Sequence, residues 1–278
     1  MRITLWAALA LAVCACSDST STFGGSISAT DAGDISVAES DEVEQAVSAV
    51  TTPAELSAES PTAPGCATVD DETDTDGDFQ PDEATYTFAL PACHFTGFRG
   101  GSLDVTGTIT LSDPTPSAPD LALIATLTDF TFAFTSPDQS RTYTAVRNGT
   151  RTLTGNAQGV SLSNQVTVVR SRPNRADATV VHNLLLSFTP AQGESLAFGE
   201  PLPDGTFERS GTFTWSRGAV SLAFTVTTVA PIVWDASCTT DRKISSGETH
   251  ATLEDGSYIK TVWTACGVDP TRTYVPAT

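Results

Sequence analysis

Residues 70–83 hold eight carboxylates in fourteen positions, with Asp74, Asp76 and Asp78 alternating around Gly77. Calcium takes six to eight hard oxygen ligands at flexible distances, and alternate aspartates on a tight turn present theirs from one side. The run therefore points to a calcium loop, and otherwise reads as an acidic, solvated continuation of the segment before it. The three histidines offer less chemistry. His182 falls in phase with Val180, Leu184, Leu186 and Phe188, as a core histidine on an apolar strand face would. His94 adjoins Cys93. His250 lies near Glu248 and Glu254 and could be drawn as a metal or acid–base site, though such spacing arises often by chance. Trp215, Trp234 and Trp263 read as core residues, with the lining of a ligand surface as the alternative. The chain has no Gly-x-Ser-x-Gly elbow, no His-Glu-x-x-His and no phosphate-cradling glycine loop, so no catalytic constellation is expected.

The centre of the acidic run, residues 74–82, resembles the calcium loops of thrombospondin type 3 repeats. That resemblance implies Asp74, Asp76, Asp78 and Asp82 as side-chain ligands and Gln80 as a carbonyl donor. It covers about ten of the 278 residues. Phe79 stands where that family has glycine, and Thr85 where it has a last carboxylate. A second register is similar to an EF-hand loop: Glu72, Asp74, Asp76, Gly77 and Glu83 fall at the spacing of positions one, three, five, six and twelve. It has Glu in place of Asp at the first position, Pro81 inside the loop and no flanking helices. Both registers share Asp74 and Asp76, and either implies a structural clamp rather than a sensor.

At the N-terminus Arg2 precedes an apolar stretch of eleven residues, 3–13. A helix needs about 20 residues to cross a hydrocarbon core, so this stretch fits a secretory signal. Val13-Cys14-Ala15-Cys16-Ser17 resembles the lipobox of bacterial lipoproteins. In that family the cysteine is diacylated, the signal is cut before it and the new amino group is acylated. Cys16 has Ala15 directly before it and Val13 at minus three, whereas Cys14 has the bulkier Val13 at the cut. Cleavage before Cys16 also leaves an even set, Cys66, Cys93, Cys238 and Cys266, suited to disulfides in an oxidising compartment; cleavage before Cys14 strands an odd thiol. The alternative is a plain secretory signal. Two or three acyl chains anchor stably, each buried methylene contributing about 0.8 kcal/mol. Ser17 stands where the family's inner-membrane retention signal has Asp, which favours an outer-membrane anchor on the periplasmic or cell-surface side. Four cysteines allow three pairings. Pairing Cys66 with Cys93 would close the acidic run onto the first strand, expected at residues 85–90. Cys238 with Cys266 would tie the penultimate loop to the last strand.

Charge divides the chain. Of 33 acidic residues, 17 precede Arg99, and between Arg2 and Arg99 there is no Lys or Arg. The net charge of −19 thus resides almost wholly in the first third. Such a Ser/Thr/Ala/Pro-rich acidic stretch buries too little surface to offset its ordering entropy and reads as a solvated tether, with a short helix expected at residues 41–50. With no basic stripe to release counterions from phosphates, nucleic-acid binding is disfavoured. The expected organisation is residues 1–15 signal peptide, 16–65 tether, 66–93 acidic loop and first strand, and 94–278 antiparallel β domain.

That domain alternates with the period of a half-buried strand, as in Val220, Leu222, Phe224 and Val226, in Leu103, Val105, Ile109 and Leu111, and in Val160, Leu162, Val166 and Val168. Arg217-Gly218 predicts a tight turn and Asn148-Gly149 a type I′ hairpin turn. The apolar phase flips within residues 121–134, which predicts a bulge near Thr128-Asp129. About ten or eleven strands are expected, in one all-β antiparallel domain forming a strongly curved sheet or barrel, with a two-sheet sandwich as the alternative. Charged strand residues such as Arg209 and Lys260 argue against a membrane-spanning barrel. Two functions are compatible with these features. One is a non-enzymatic binding or scaffold lipoprotein with recognition on the loops at residues 114–119 or 192–205. The other is a carrier of an apolar ligand inside the curved sheet.

Overall fold

The computed structural model describes Ile35 and residues 66–77, 80–96, 101–117, 120–139, 141–196, 200–240 and 243–277. Cys16, Asp78 and the helix expected at residues 41–50 lie outside the described residues. Thirteen strands follow in chain order: β1 (Ala67–Thr73), β2 (Glu83–Phe88), β3 (His94–Thr96), β4 (Ser102–Ser112), β5 (Leu123–Thr135), β6 (Thr142–Asn156), β7 (Gly159–Ser171), β8 (Ala178–Pro190), β9 (Gly205–Arg217), β10 (Val220–Trp234), β11 (Ile244–Leu253), β12 (Tyr258–Trp263) and β13 (Thr271–Val275). They form a single antiparallel sheet in which nearly every strand pairs with its neighbours in sequence; only β3 steps off the path, so that β2 pairs β4.

Three expectations are corrected. The strands number thirteen rather than ten or eleven. They hydrogen-bond into one sheet rather than two, and that sheet is open, with β1 and β13 at its two ends. The extra count comes mostly from short strands with weak apolar patterns. β1 is Ala-Thr-Val-Asp-Asp-Glu-Thr, and its ladder to β2 (Val69 opposite Tyr86, Asp70 opposite Thr85) forms despite its acidity. Consequently the first strand of the domain is β1, and the strand expected at residues 85–90 is its partner, running from Glu83 to Phe88.

Asn148-Gly149 is not a turn. It lies in the middle of the fifteen-residue β6, with Asn148 opposite Thr167 and Gly149 opposite Val166. The β6–β7 turn comes at Ala157-Gln158, where Asn156 Oδ1 accepts the amide of Gln158 at 2.9 Å. What Asn148-Gly149 serves is the bulge in β5. The β5–β6 register slips between Leu127 and Phe130, and Asp129 sits there at φ +47°. The Asn148 side chain clasps it, Oδ1 accepting the Asp129 amide at 2.8 Å and Nδ2 donating to its carboxylate at 3.2 Å. The expected bulge is thus present and bends the strand locally. The Arg217-Gly218 turn is also formed, with Gly218 at φ +59° between paired Arg217 and Val220.

One face of the sheet is buried. On β8, Ala178, Val180, His182, Leu184, Leu186 and Phe188 all point to it, while Val181 and Leu185 on the other face are 46% and 43% exposed. Two apolar clusters share the buried face. The larger contains Phe88 against Phe130 and Phe188 against Phe207, with Phe207 meeting Trp234 edge-on. The smaller centres on Phe213 stacked on Phe224 at 4.5 Å, with Val180, Trp215, Val226 and Ile259 around them. All three tryptophans of the domain are core residues, as expected. The smaller cluster also contains Ile35, helical and 0% exposed. At that position of the stretch read as a solvated tether the chain is packed.

Candidate functional site

The acidic run forms the loop of the β1–β2 hairpin, and its described side chains organise the loop itself. Asp74 Oδ1 accepts the Gly77 amide at 2.7 Å, with Gly77 at φ +77°. Asp82 accepts the Thr75 amide at 3.1 Å and also the Thr75 hydroxyl. Those two bonds, the hydroxyl first, hold the Asp82 carboxyl below the usual carboxylate range. Gln80 is buried; its Nε2 donates to the Asp120 carbonyl oxygen at 2.5 Å, fastening the loop to the chain before β5. Glu83 begins β2 and is exposed. Among the described residues no three carboxylates of this loop come within 4.8 Å of one another. The donor set suits calcium in kind, since hard oxygens are what that ion takes. A shared ion would require Asp82 to turn from Thr75 toward Asp74 and Asp76.

The four cysteines pair as sequence nearness suggested, Cys66 with Cys93 and Cys238 with Cys266. The first bridge closes the acidic hairpin onto the turn before β3. The second joins the β10–β11 loop to the β12–β13 loop. Asp235, Cys238 and Cys266 are the one set of three ligand-type side chains gathered within 4.8 Å among the described residues, and the disulfide occupies both sulfurs.

Beside the Cys238 loop, an open crevice of about 500 Å³ lies between the β8–β9 and β10–β11 connections, lined by Pro190, Asp204, Thr206, Trp234, Asp235 and Ser245. Its carboxylates are engaged in loop structure: Asp204 accepts the Ala236 amide at 2.7 Å, and Asp235 accepts the Ser237 amide at 2.9 Å. Residues 192–205, expected to be a free recognition loop, border this crevice, but Leu196 and Leu202 of that loop are buried in the larger cluster. On the exposed face of β11 and β12, Glu248 pairs with both His250 and Lys260, each at 2.7 Å, and His250 stacks on Tyr258. The Lys260 hydrogen bond, with a smaller contribution from His250, keeps the Glu248 carboxyl below its usual range. This is a surface ion-pair network. His94 likewise pairs with Asp104 at 2.5 Å on the surface.

Sequence reading passed over a row of cations on the buried face. Arg147, Arg151, Arg170 and Arg209 are 4–6% exposed and lie among the core residues with Asn164 and His182. The pairing ladders place them in shared rows: Arg147 with Val168, Val180 and Trp215; Arg151 with Asn164 and Leu184; Arg170 with Ala178; Arg209 with Leu186. Arg147 lies over the Phe132 ring at 4.8 Å, and Arg151 Nε donates to Asn164 Oδ1 at 3.3 Å. Strand phase was the available signal, since Arg147 and Arg151 keep step with Ala145 and Leu153, and Arg209 with Phe207 and Phe213. Of the two charged residues weighed against a membrane barrel, only Lys260 points away from the core.

The fold and site define an all-β, antiparallel, doubly disulfide-linked domain with a cationic buried face. No protein family, curated protein or solved structure was found to match this chain.

Proposed function

We propose that the chain is an exported lipoprotein, acylated at Cys16, whose β domain acts outside the cytoplasm as a non-enzymatic binding or scaffold module. The observation that carries this reading is the pairing of all four cysteines that follow Cys16. Such bridges persist in oxidising compartments, in agreement with a lipobox that discards Cys14. The open crevice at Trp234 lies beside the loop that carries Cys238 and is the place we assign to recognition of a soluble partner or ligand. Calcium is the proposed structural ion of the β1–β2 loop, held by Asp74, Asp76, Asp78 and Asp82, with Gln80 and Glu83 flanking. A buried face covering most of the sheet also implies that the sheet curls on itself, because an apolar face must be shielded from water.

The carrier reading needs an apolar void of several hundred Å³. On the buried face Phe88 packs against Phe130, Phe188 against Phe207 and Phe213 against Phe224, contacts that support a packed core and with it the scaffold. In cells fed a fatty-acid analogue, the wild-type chain is expected to take up label and partition with membranes, and Cys16→Ala to do neither. Organic extraction of the purified protein, followed by mass spectrometry, is expected to release only the anchor's acyl chains. An additional stoichiometric lipid would shift the assignment to a carrier, and an unlabelled wild-type chain would remove the anchor.

A further inference from the structure

The two disulfides differ in what surrounds them. Cys66 and Cys93 are 8% and 0% exposed, whereas Cys238 and Cys266 are half-buried in loops whose neighbouring residues Thr239, Thr240, Ala265 and Gly267 are exposed. Thiol–disulfide exchange requires an attacking thiolate to reach a sulfur. Access therefore favours opening of the second bridge before the first.

Oxygen donors stand beside these sulfurs. Asp235 Oδ1 accepts the Ser237 amide at 2.9 Å and the Ser237 hydroxyl at 2.5 Å, while Asp235 Oδ2 lies 4.0 Å from Cys266 Sγ. The Lys243 carbonyl oxygen is 3.9 Å from Cys238 Sγ. The bridge is not all that shapes this place. The Asp235 amide donates to the Lys243 carbonyl oxygen at 2.9 Å, and the Cys238 amide to the Asp235 carbonyl oxygen at 3.2 Å. The β10–β11 loop also touches the β12–β13 loop away from the sulfurs, since a Cβ at Gly267 would stand 2.9 Å from Thr240 Cγ2. These contacts keep Cys238, Cys266 and Asp235 together when the S–S bond is open.

We propose that Asp235, Cys238 and Cys266 form a zinc site when the Cys238–Cys266 bridge is reduced, so that the two loops are clasped either by a disulfide or by a metal ion. A dithiol reductant opens the bridge: the S–S bond gains two electrons and two protons from the reductant's thiols, which leave joined as a disulfide. Zinc then displaces the two thiol protons. Two thiolates and a carboxylate bring three negative charges, which a dication offsets. Mixed sulfur and oxygen donors suit zinc, whereas calcium takes oxygens alone. With Zn–S about 2.3 Å, a tetrahedral ion holds two sulfurs about 3.8 Å apart. Cysteines whose Cα atoms are 6.2 Å apart reach that separation by side-chain rotation. The site is separate from the calcium proposed at the β1–β2 loop, and it does not rest on the recognition role given to the crevice.

The full chain, titrated with a phosphine reductant without oxygen, tests this in two readings. Alkylation followed by peptide mass mapping is expected to label Cys238 and Cys266 while Cys66 and Cys93 stay joined. Cobalt(II), a spectroscopic stand-in for zinc, is then expected to bind the reduced chain with a thiolate-to-metal absorption band, one ion per chain, and to be displaced by zinc. The oxidised chain is expected to show no such band, even if the acidic loop takes up cobalt through oxygen. Asp235→Asn keeps an acceptor for Ser237 and is expected to weaken zinc binding by roughly 10-fold or more, with Cys238→Ser abolishing the band. Should a variant fail to fold, the oxidised and reduced wild-type chains decide between themselves. Opening of both bridges at the same reductant concentration, absence of the band from the reduced chain, or an Asp235→Asn affinity equal to that of the wild type would each overturn the proposal.

Discussion

Gly149 has a φ of +139°, and a Cβ built there would stand 2.2 Å from the Gln165 carbonyl oxygen and 2.8 Å from Val166 Cα. Both atoms are backbone of the adjacent strand, so neither yields as a flexible side chain would. Gly149 also lies opposite Leu127, where the β5 bulge begins. Gly193 makes a useful control, with φ +92° and nothing within 4 Å of its Cβ position. Gly193→Ala carries only the conformational penalty, about 1 kcal/mol. Gly149→Ala adds the clash and is expected to cost about 2–4 kcal/mol, through backbone strain together with overpacking. Urea denaturation of the two variants measures the difference, and equal losses would mean that β7 gives way freely. The same residue shows where sequence reasoning stops. Asn-Gly is a strong hairpin signal because both residues accept positive φ, but here a bulge on the neighbouring strand uses the same pair, Gly149 for its positive φ and Asn148 for its side chain. Only the partner strand distinguishes the two, and pairing is not written in the dipeptide. The buried arginines were more accessible, because their phase matches the apolar residues beside them. They were missed because an Arg within an alternating strand is ordinarily assigned to water.

At the scale of the element, the β1–β2 hairpin shows both the reach and the limits of local signals. Cys66 and Cys93 bracket it, and their pairing was legible because the two residues are near in sequence. β1 was not, since three consecutive acidic residues obscured its register with β2. The hairpin places Asp74 and Asp82 at the two ends of one short loop, where each already accepts hydrogen bonds from the loop. A calcium ion bound here would have to compete with Thr75 for Asp82, so the proposed binding is expected to be weak and strengthened by the disulfide's restriction of the open chain. Millimolar calcium is expected to raise the melting temperature of the wild type by several degrees, as a stabilisation of about 1–2 kcal/mol would. Asp74→Ala/Asp76→Ala should abolish the rise, and loss of the Asp74–Gly77 hydrogen bond should lower the melting temperature equally with and without calcium. If wild-type melting is the same in calcium and in chelator, the loop is an acidic turn held by its own hydrogen bonds.

Across the whole molecule, the sheet is an ordered succession of neighbouring hairpins, and such a chain can unfold piecewise from its ends if its parts are weakly joined. The two apolar clusters bear on this. The larger draws on β2 through β12 and the smaller on β8 through β12, so the same strands serve both. On β8, Leu184 belongs to one cluster and Leu186, two residues on along the same face, to the other. On β9, Phe207 and Phe213 divide in the same way, with Arg209 between them. Loss of packing at one end of these strands therefore loosens the frame of the other. Phe188→Ala in the larger cluster and Trp215→Ala in the smaller are each expected to cost about 3–5 kcal/mol. Each should also shift a single transition, with tryptophan fluorescence and far-UV circular dichroism coinciding along the urea titration. If Trp215→Ala instead separated the two probes, the smaller cluster would form a subdomain that melts independently. The shared strands argue for one cooperative unit, in which the two clusters stand or fall together.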